Sequence, residues 1–131
     1  MTDRKLVSSG SYLEPIIGFS RAVRVGNIIS VGGTAPIAAG GGTTAIGDVY
    51  GQTKRCLEIV AKALADAGAG LEHVTRTRIL LTDIALWEGA ARAHAEAFAP
   101  IRPVTTVMQV SGFIDPDWLV EIEVDAVVPE A

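Results

Sequence analysis

Residues 119–128 read LVEIEVDAVV and alternate with a period of two. Leu119, Glu121, Glu123 and Asp125 point one way, and Val120, Ile122, Val124 and Ala126 point the other. That is the pattern of a β-strand with one buried face. It commits the chain to a sheet that packs one side on a core. The opposite side carries three carboxylates in a row, about 7 Å apart. Two readings stand open. The row is a plain solvated sheet face, or it lines a cleft that holds a cation, an amine or a catalytic water. The second reading needs a neighbour that tunes a carboxyl pKa, or an oriented water.

The rest of the chain supplies more strands and two helices. Residues 5–9 (KLVSS) read as a short strand, and residues 19–36 as two strands joined at Gly26-Asn27, a pair that tolerates positive φ. The second of these is rich in β-branched residues. A glycine-rich loop follows (IAAGGGTTAIG, 37–47). From Asp48 the period becomes helical. Val49, Cys56, Val60, Ala63, Leu64 and Ala67 share one face, and Gly68 and Gly70 close the helix. Residues 74–83 form a strand. Residues 85–99 form a second helix, with Trp87, Ala90, Ala91, His94 and Phe98 on one face, ended by Pro100 and Pro103. Residues 105–113 are a strand, 114–118 a turn and 119–128 the last strand.

The order β-β-β-α-β-α-β-β predicts an α+β fold. Two helices lie on one face of a mostly antiparallel sheet, with hairpins at both ends, in a single domain spanning 1–131. Two helices cover only one face. The other still carries apolar residues, so a partner subunit is the natural cover.

Charge and cysteine content narrow the class. A net charge of −4 with three lysines and eight scattered arginines argues against a nucleic-acid or membrane-surface footprint. One cysteine allows no internal disulfide and fits a reducing compartment. The first ten residues lack a signal-peptide core, and no apolar run approaches the ~18 residues that cross a bilayer, so a soluble, cytoplasmic protein is expected.

Chemistry-bearing motifs are sparse. The glycine cluster VGGTAPIAAGGG lacks the Gly-Lys-Ser/Thr ending of a P-loop and the spacing of a dinucleotide fingerprint. It reads as a loop, or as a place where backbone approaches a ligand. Cys56 sits on an apolar helix face as a core residue. His73 and His94 have nothing nearby to complete a metal site, so neither metal nor cofactor is expected. Arg102 precedes Pro103 at a helix-to-strand junction. There it either caps backbone carbonyls or grips a carboxylate in two-point fashion.

Taken together, the segments FSRAVRVGNIISVGGTAP, QTKRCLEIVAKALADAGAGLEHVTRTRILLTDI, AEAFAPIRPVTTVMQV and LVEIEVDAVV resemble the RidA family, also called YjgF or L-PSP-like proteins. Gly33-Thr34-Ala35-Pro36 and the closing VEIEVDAV carry the resemblance most specifically. It implies a chorismate-mutase-like fold and a homotrimer whose three sheets form a central barrel, with clefts between adjacent subunits. It also implies hydrolysis of reactive enamine or imine acids to keto acids and ammonia.

The implied site residues transfer one by one. Glu121 matches the glutamate that positions the attacking water, and Thr106 the small polar residue whose backbone meets the substrate. Phe19 stands where the family often has Tyr, and Gly32 where it often has Ser. Arg92 falls at or beside a helix position that is often Asn. The arginine that binds the substrate carboxylate is replaced by Val104, which cannot hold an anion, while Arg102 lies two residues earlier. The resemblance therefore implies a divergent branch. The expected function is a hydrolase or deaminase acting on a small imine, enamine or related C–N bond. The alternatives are a non-catalytic trimer that binds a small carboxylate and, more weakly, an endoribonuclease. The acidic pI and the lack of a general acid/base histidine pair weigh against the last.

Overall fold

The computed structural model describes residues 3–129. Nine regular elements run in the order β1 (Arg4–Val7), α1 (Leu13–Ile17), β2 (Ala22–Val25), β3 (Ile28–Thr34), α2 (Val49–Asp66), β4 (Val74–Leu81), α3 (Trp87–Phe98), β5 (Val104–Gln109) and β6 (Val120–Val127). Single 3-10 turns precede β4 and α3. The strands form one six-stranded sheet in the order β1-β2-β3-β6-β4-β5.

The alternation in β6 holds residue by residue. Val120, Ile122, Val124 and Ala126 are buried, and Glu121, Glu123 and Asp125 are half-exposed. Ile29 and Val31 of β3 and Ile79 and Leu81 of β4 extend the buried face, on which Cys56, Val60 and Leu64 of α2 and Phe98 of α3 pack. Each large apolar side chain removed from water in this layer stabilises the fold by roughly 1.5–3 kcal/mol.

Two residues fasten α2. At its N-terminal end, Gln52 is fully buried. Its Nε2 donates to Asp117 O at 2.9 Å and its Oε1 accepts from Leu119 N at 2.8 Å, which ties the helix to the approach to β6. At the other end Gly68 adopts φ +85° and Arg24 Nη1 donates to Ala67 O at 2.8 Å. The guanidinium thus satisfies a carbonyl that the helix leaves unpaired.

Three sequence expectations change. The C-terminal hairpin is absent. β5 pairs with β4 in parallel, and β6 is inserted antiparallel between β3 and β4. α3 is the reason: a helical crossover returns the chain in its original direction, so the strands it joins run parallel. A short helix, α1, was not foreseen; Gly18 in the left-handed conformation ends it. Trp87 opens α3 rather than lying within its packed stripe and is half-exposed, while Ala93 takes a buried position beside Ala90 and Phe98.

The packing of α2 on α3 makes one prediction. Gly89 lies in α3, where alanine would normally favour the helix by ~1 kcal/mol. A Cβ at Gly89 would sit 2.7 Å from Val49 Cγ1, a stiff β-branched side chain. Gly89→Ala is therefore expected to destabilise the protein, by about 1–2 kcal/mol net. Denaturant unfolding measures it; a stabilised variant would show that the two helices are not held at this spacing.

Candidate functional site

The acidic row of β6 divides into three environments. Asp125 pairs with the β4 arginines: Arg76 Nε lies 3.6 Å and Arg78 Nη1 3.9 Å from Asp125 Oδ2. These pairs are about half-exposed and add little stability. Glu123 stands in register with Arg78. Glu121 stands in register with Leu80 and has no cation from β4. It lines a cleft of about 360 Å³ instead, with Leu13, Phe19, Arg21, Gly33, Ile114 and Trp118 among its walls.

The local fold makes room for that carboxyl. β3 loses register with β6 between Val31 and Thr34, where Gly32 and Gly33 fall. A Cβ at Gly33 would sit 2.6 Å from Glu121 Oε1, so a side chain here would push the carboxyl out of this position. The two glycine carbonyls are held from below by Arg21. Its Nη1 donates to Gly33 O at 2.6 Å, to Gly32 O at 3.4 Å and to Thr34 Oγ1 at 3.3 Å, and its Nε donates to Ser9 Oγ at 3.2 Å. Arg21 is only 4% exposed, and its guanidinium lies 5.1 Å over the Phe19 ring.

The electrostatics follow from this packing. Burial pushes the Glu121 carboxyl up from its ordinary 4.5; the nearby Arg21 charge opposes this and Glu123 reinforces it, and the net shift is upward. Burial works against the Arg21 charge, which Glu14 and Glu121 help to sustain. Burial would also raise Glu14, but hydrogen bonds from Ser8, Ser9 and Ser11 together bring it below its usual range. Trp118, a wall residue of the cleft, is 2% exposed, and its Nε1 is buried without an acceptor among the described residues. An orphaned N–H of this kind is costly unless a ligand or water meets it.

The cleft gathers three of the residues marked in the sequence, Glu121, Phe19 and Gly32. Within one chain it does not gather the others. Thr106 lies on the same sheet face but two strands away, across Arg78 from Glu123. Val104 lies at the far end of β5, in register with Arg76, and is 59% exposed. Arg92 stands on α3 with its guanidinium 4.1 Å over the Tyr50 ring, on the helix side of the sheet. Arg102 has φ +60° and its amide donates to Phe98 O at 2.8 Å; it borders a groove with His94, Phe98 and Pro103. The left-handed turn thus breaks the strand geometry before Pro103, and Arg102 ends α3. Arg102 and Val104 therefore do not share a strand face as an extended backbone through Pro103 would require.

The remaining titratable groups are accounted for. Cys56 is fully buried, and burial first, then Glu121, pushes its thiol far above the range in which a thiolate forms. His94 Nε2 lies 2.8 Å from Thr77 Oγ1, its ring meets Phe98 at 4.7 Å, and burial lowers its pKa. Among the described residues no cluster of His, Cys, Asp and Glu is arranged to hold a metal, and no helix is long and apolar enough to cross a membrane. Sequence reasoning missed Arg21, Gly33 and Trp118. The usable signal was a pair of glycines inside a strand, which marks a bulge or a close approach.

The six-stranded sheet backed by two long helices recurs among known proteins. The family model described as endoribonuclease L-PSP matches residues 9–128. An uncharacterised protein from Streptomyces coelicolor is 42% identical over 120 residues, covering 92% of this chain and 89% of its own. The 3-aminoacrylate deaminase RutC of Acinetobacter baylyi is 33% identical over 108 residues, covering 82% and 85%. The crystal structure of Rv2704 from Mycobacterium tuberculosis, a member of the YjgF/YER057c/UK114 family, superposes with a TM-score of 0.87 at 44% identity, covering 96% of this chain and all of that one. The chain belongs to the RidA/YjgF family.

The raised Glu121 pKa has a consequence for stability. A carboxyl that holds its proton more tightly folded than unfolded favours the fold at low pH. That contribution is lost as pH rises from 4.5 through the folded value. Glu121→Gln keeps the shape and removes the charge. The variant is expected to melt above wild type at about pH 8, with a gap that closes towards about pH 4. Equal melting curves at both pH values would show that the carboxyl is not strained by burial.

Proposed function

We propose that this protein hydrolyses a C–N bond of a small imine or enamine, with Glu121 as the proton-transfer group. The observation that carries the reading is a half-buried carboxyl, shifted upward in pKa, in a largely apolar cleft. A carboxyl moved towards neutrality can take a proton from an attacking water and return it to the leaving nitrogen. Water adds to the imine carbon to give a carbinolamine. Its C–N bond then breaks, the electron pair and proton leave with ammonia, and a carbonyl remains. The deaminase activity in the name of the Acinetobacter baylyi relative supports this class.

The cleft supports a particular range of substrates. Its walls are largely apolar, and Arg21, its nearest cation, is engaged by backbone carbonyls. Imines with an apolar side chain fit it better than 2-aminoacrylate, which offers little besides its carboxylate. The assembly reading is a homotrimer of the chorismate-mutase-like kind. The open sheet face, with Leu6, Val25, Ile28, Val104, Met108 and Val127 exposed, supports a covered face. In such an assembly Thr106, Arg92 or Arg102 would approach Glu121 only from a neighbouring copy. A second reading, a trimer that binds a small carboxylate without turning it over, draws on Val104 at the family's arginine position. An endoribonuclease is disfavoured by the negative charge of the chain.

The test couples turnover to assembly. Sedimentation equilibrium is expected to give three times the 13.7 kDa chain mass. Imines formed in situ by oxidation of leucine and of alanine should release ammonia, the leucine product faster. Glu121→Gln should slow kcat by about 10²–10⁴-fold with the trimer intact. Wild-type rates equal to those of the variant would leave the binding reading in place of the enzyme, and a monomer at micromolar concentration would remove the intersubunit cleft.

A further inference from the structure

A second cavity, also of about 360 Å³, adjoins the Glu121 cleft; Ser11, Arg21, Ala35 and Ile37 line both, and Glu121 lines only the first. Its volume falls in the range of small-ligand sites. It is bounded by α2, the loop before α1 and the glycine-rich loop 38–41. Two arginines, Arg21 and Arg55, line it together with Ser11 and Tyr12, and Ile37 and Ile59 give it an apolar floor. None of the residues that line it carries a carboxylate.

The donors around this cavity exceed the acceptors offered to them. Arg55 Nε donates to Ile37 O at 2.7 Å, which fixes the guanidinium at the rim, and its Nη1 makes only a loose 3.5 Å contact with the exposed Glu58. Among the described residues, Nη2 of neither Arg21 nor Arg55 has a protein acceptor. Ser11 Oγ accepts from Leu13 N, so its own proton is free to be donated. Glu14 of α1 does not line the cavity and is occupied: its Oε2 accepts from Ser9 N, Ser9 Oγ and Ser11 N. Two guanidinium edges and a hydroxyl facing one space over an apolar floor match an oxyanion on a short apolar body.

We propose that this cavity binds a small oxyanion, a carboxylate or phosphate group, between Arg21 and Arg55 with the Ser11 hydroxyl. The site adjoins the one proposed for catalysis, and Ser11, Arg21, Ala35 and Ile37 form their shared wall. The guanidinium that would meet the anion also holds Gly32 O and Gly33 O beneath Glu121, so occupancy of one cavity bears on the other.

Calorimetry on the full chain tests this, with inorganic phosphate and 2-oxobutyrate titrated separately. Saturable binding of at least one probe is expected, and which one binds identifies the oxyanion. Arg55→Gln, checked for unchanged mass and melting temperature, is expected to weaken binding about tenfold or more. Glu121→Gln should not weaken it, because that carboxyl does not line this cavity and its charge, near Arg21, opposes an anion there. Should Arg55→Gln fail to fold, Ser11→Ala replaces it, with a loss of about threefold or more expected from one hydrogen bond. The proposal is overturned if neither probe binds up to about 10 mM, an affinity weaker than about −2.7 kcal/mol. It is equally overturned if Arg55→Gln, or Ser11→Ala in its place, binds like wild type, or if Glu121→Gln alone abolishes binding. The last result would place the anion in the Glu121 cleft, whose catalytic role the ammonia assay judges separately.

Discussion

A guanidinium with almost no access to water organises this half of the molecule. Arg21 sits beneath the β3 bulge, and its nitrogens reach two glycine carbonyls, the Thr34 hydroxyl and the Ser9 hydroxyl. Removing a charge from water is expensive unless hydrogen bonds and counter-charge restore what is lost. Here the carbonyls and hydroxyls supply the bonds, and Glu14 and Glu121 supply the counter-charge. The bulge, the loop before α1 and the seat of Glu121 therefore depend on one another. A change at the bulge or the loop removes an acceptor from the buried Arg21.

The same dependence explains the role of the glycines. Gly33 leaves open the space into which the neighbouring strand brings a carboxyl, and its backbone is not in the left-handed region. The close approach is between two parts of one chain, so a ligand need not be invoked to explain it. What it does is hold Glu121 off bulk water and against Arg21 while its two neighbours in the row, Glu123 and Asp125, face β4 arginines. Three acids at equal spacing on one strand thereby acquire different chemistry from the strands and loops beside them.

This is also where the sequence ceased to be informative. The parity of β6 was legible because side chains of opposite polarity alternate, and the faces of α2 were legible from a 3.6-residue period. Strand pairing was not, because nothing in residues 105–113 tells a parallel from an antiparallel neighbour; the crossover through α3 decides it. Glu121, Phe19 and Gly32 were found through a family resemblance, and the geometry brings them together. Arg21 was passed over because a single arginine beside an apolar strand looks like a surface charge. Its burial arises from backbone carbonyls that come from residues 11 to 12 positions away. Trp118 was read as part of a turn, and its orphaned N–H is visible only once the cleft exists.

β5 is one of two edge strands. Like β1 it is bonded on one side only, but its single partner, β4, runs parallel to it, and all six of its residues are exposed. A strand so placed contributes little burial to its own retention and has the low local free energy of opening that marks the last cooperative unit to dock. The seam between β4 and β5 is thus where the isolated chain would first exchange its amide protons. Any surface that lies along β5 lends it the protection that the chain does not provide for itself.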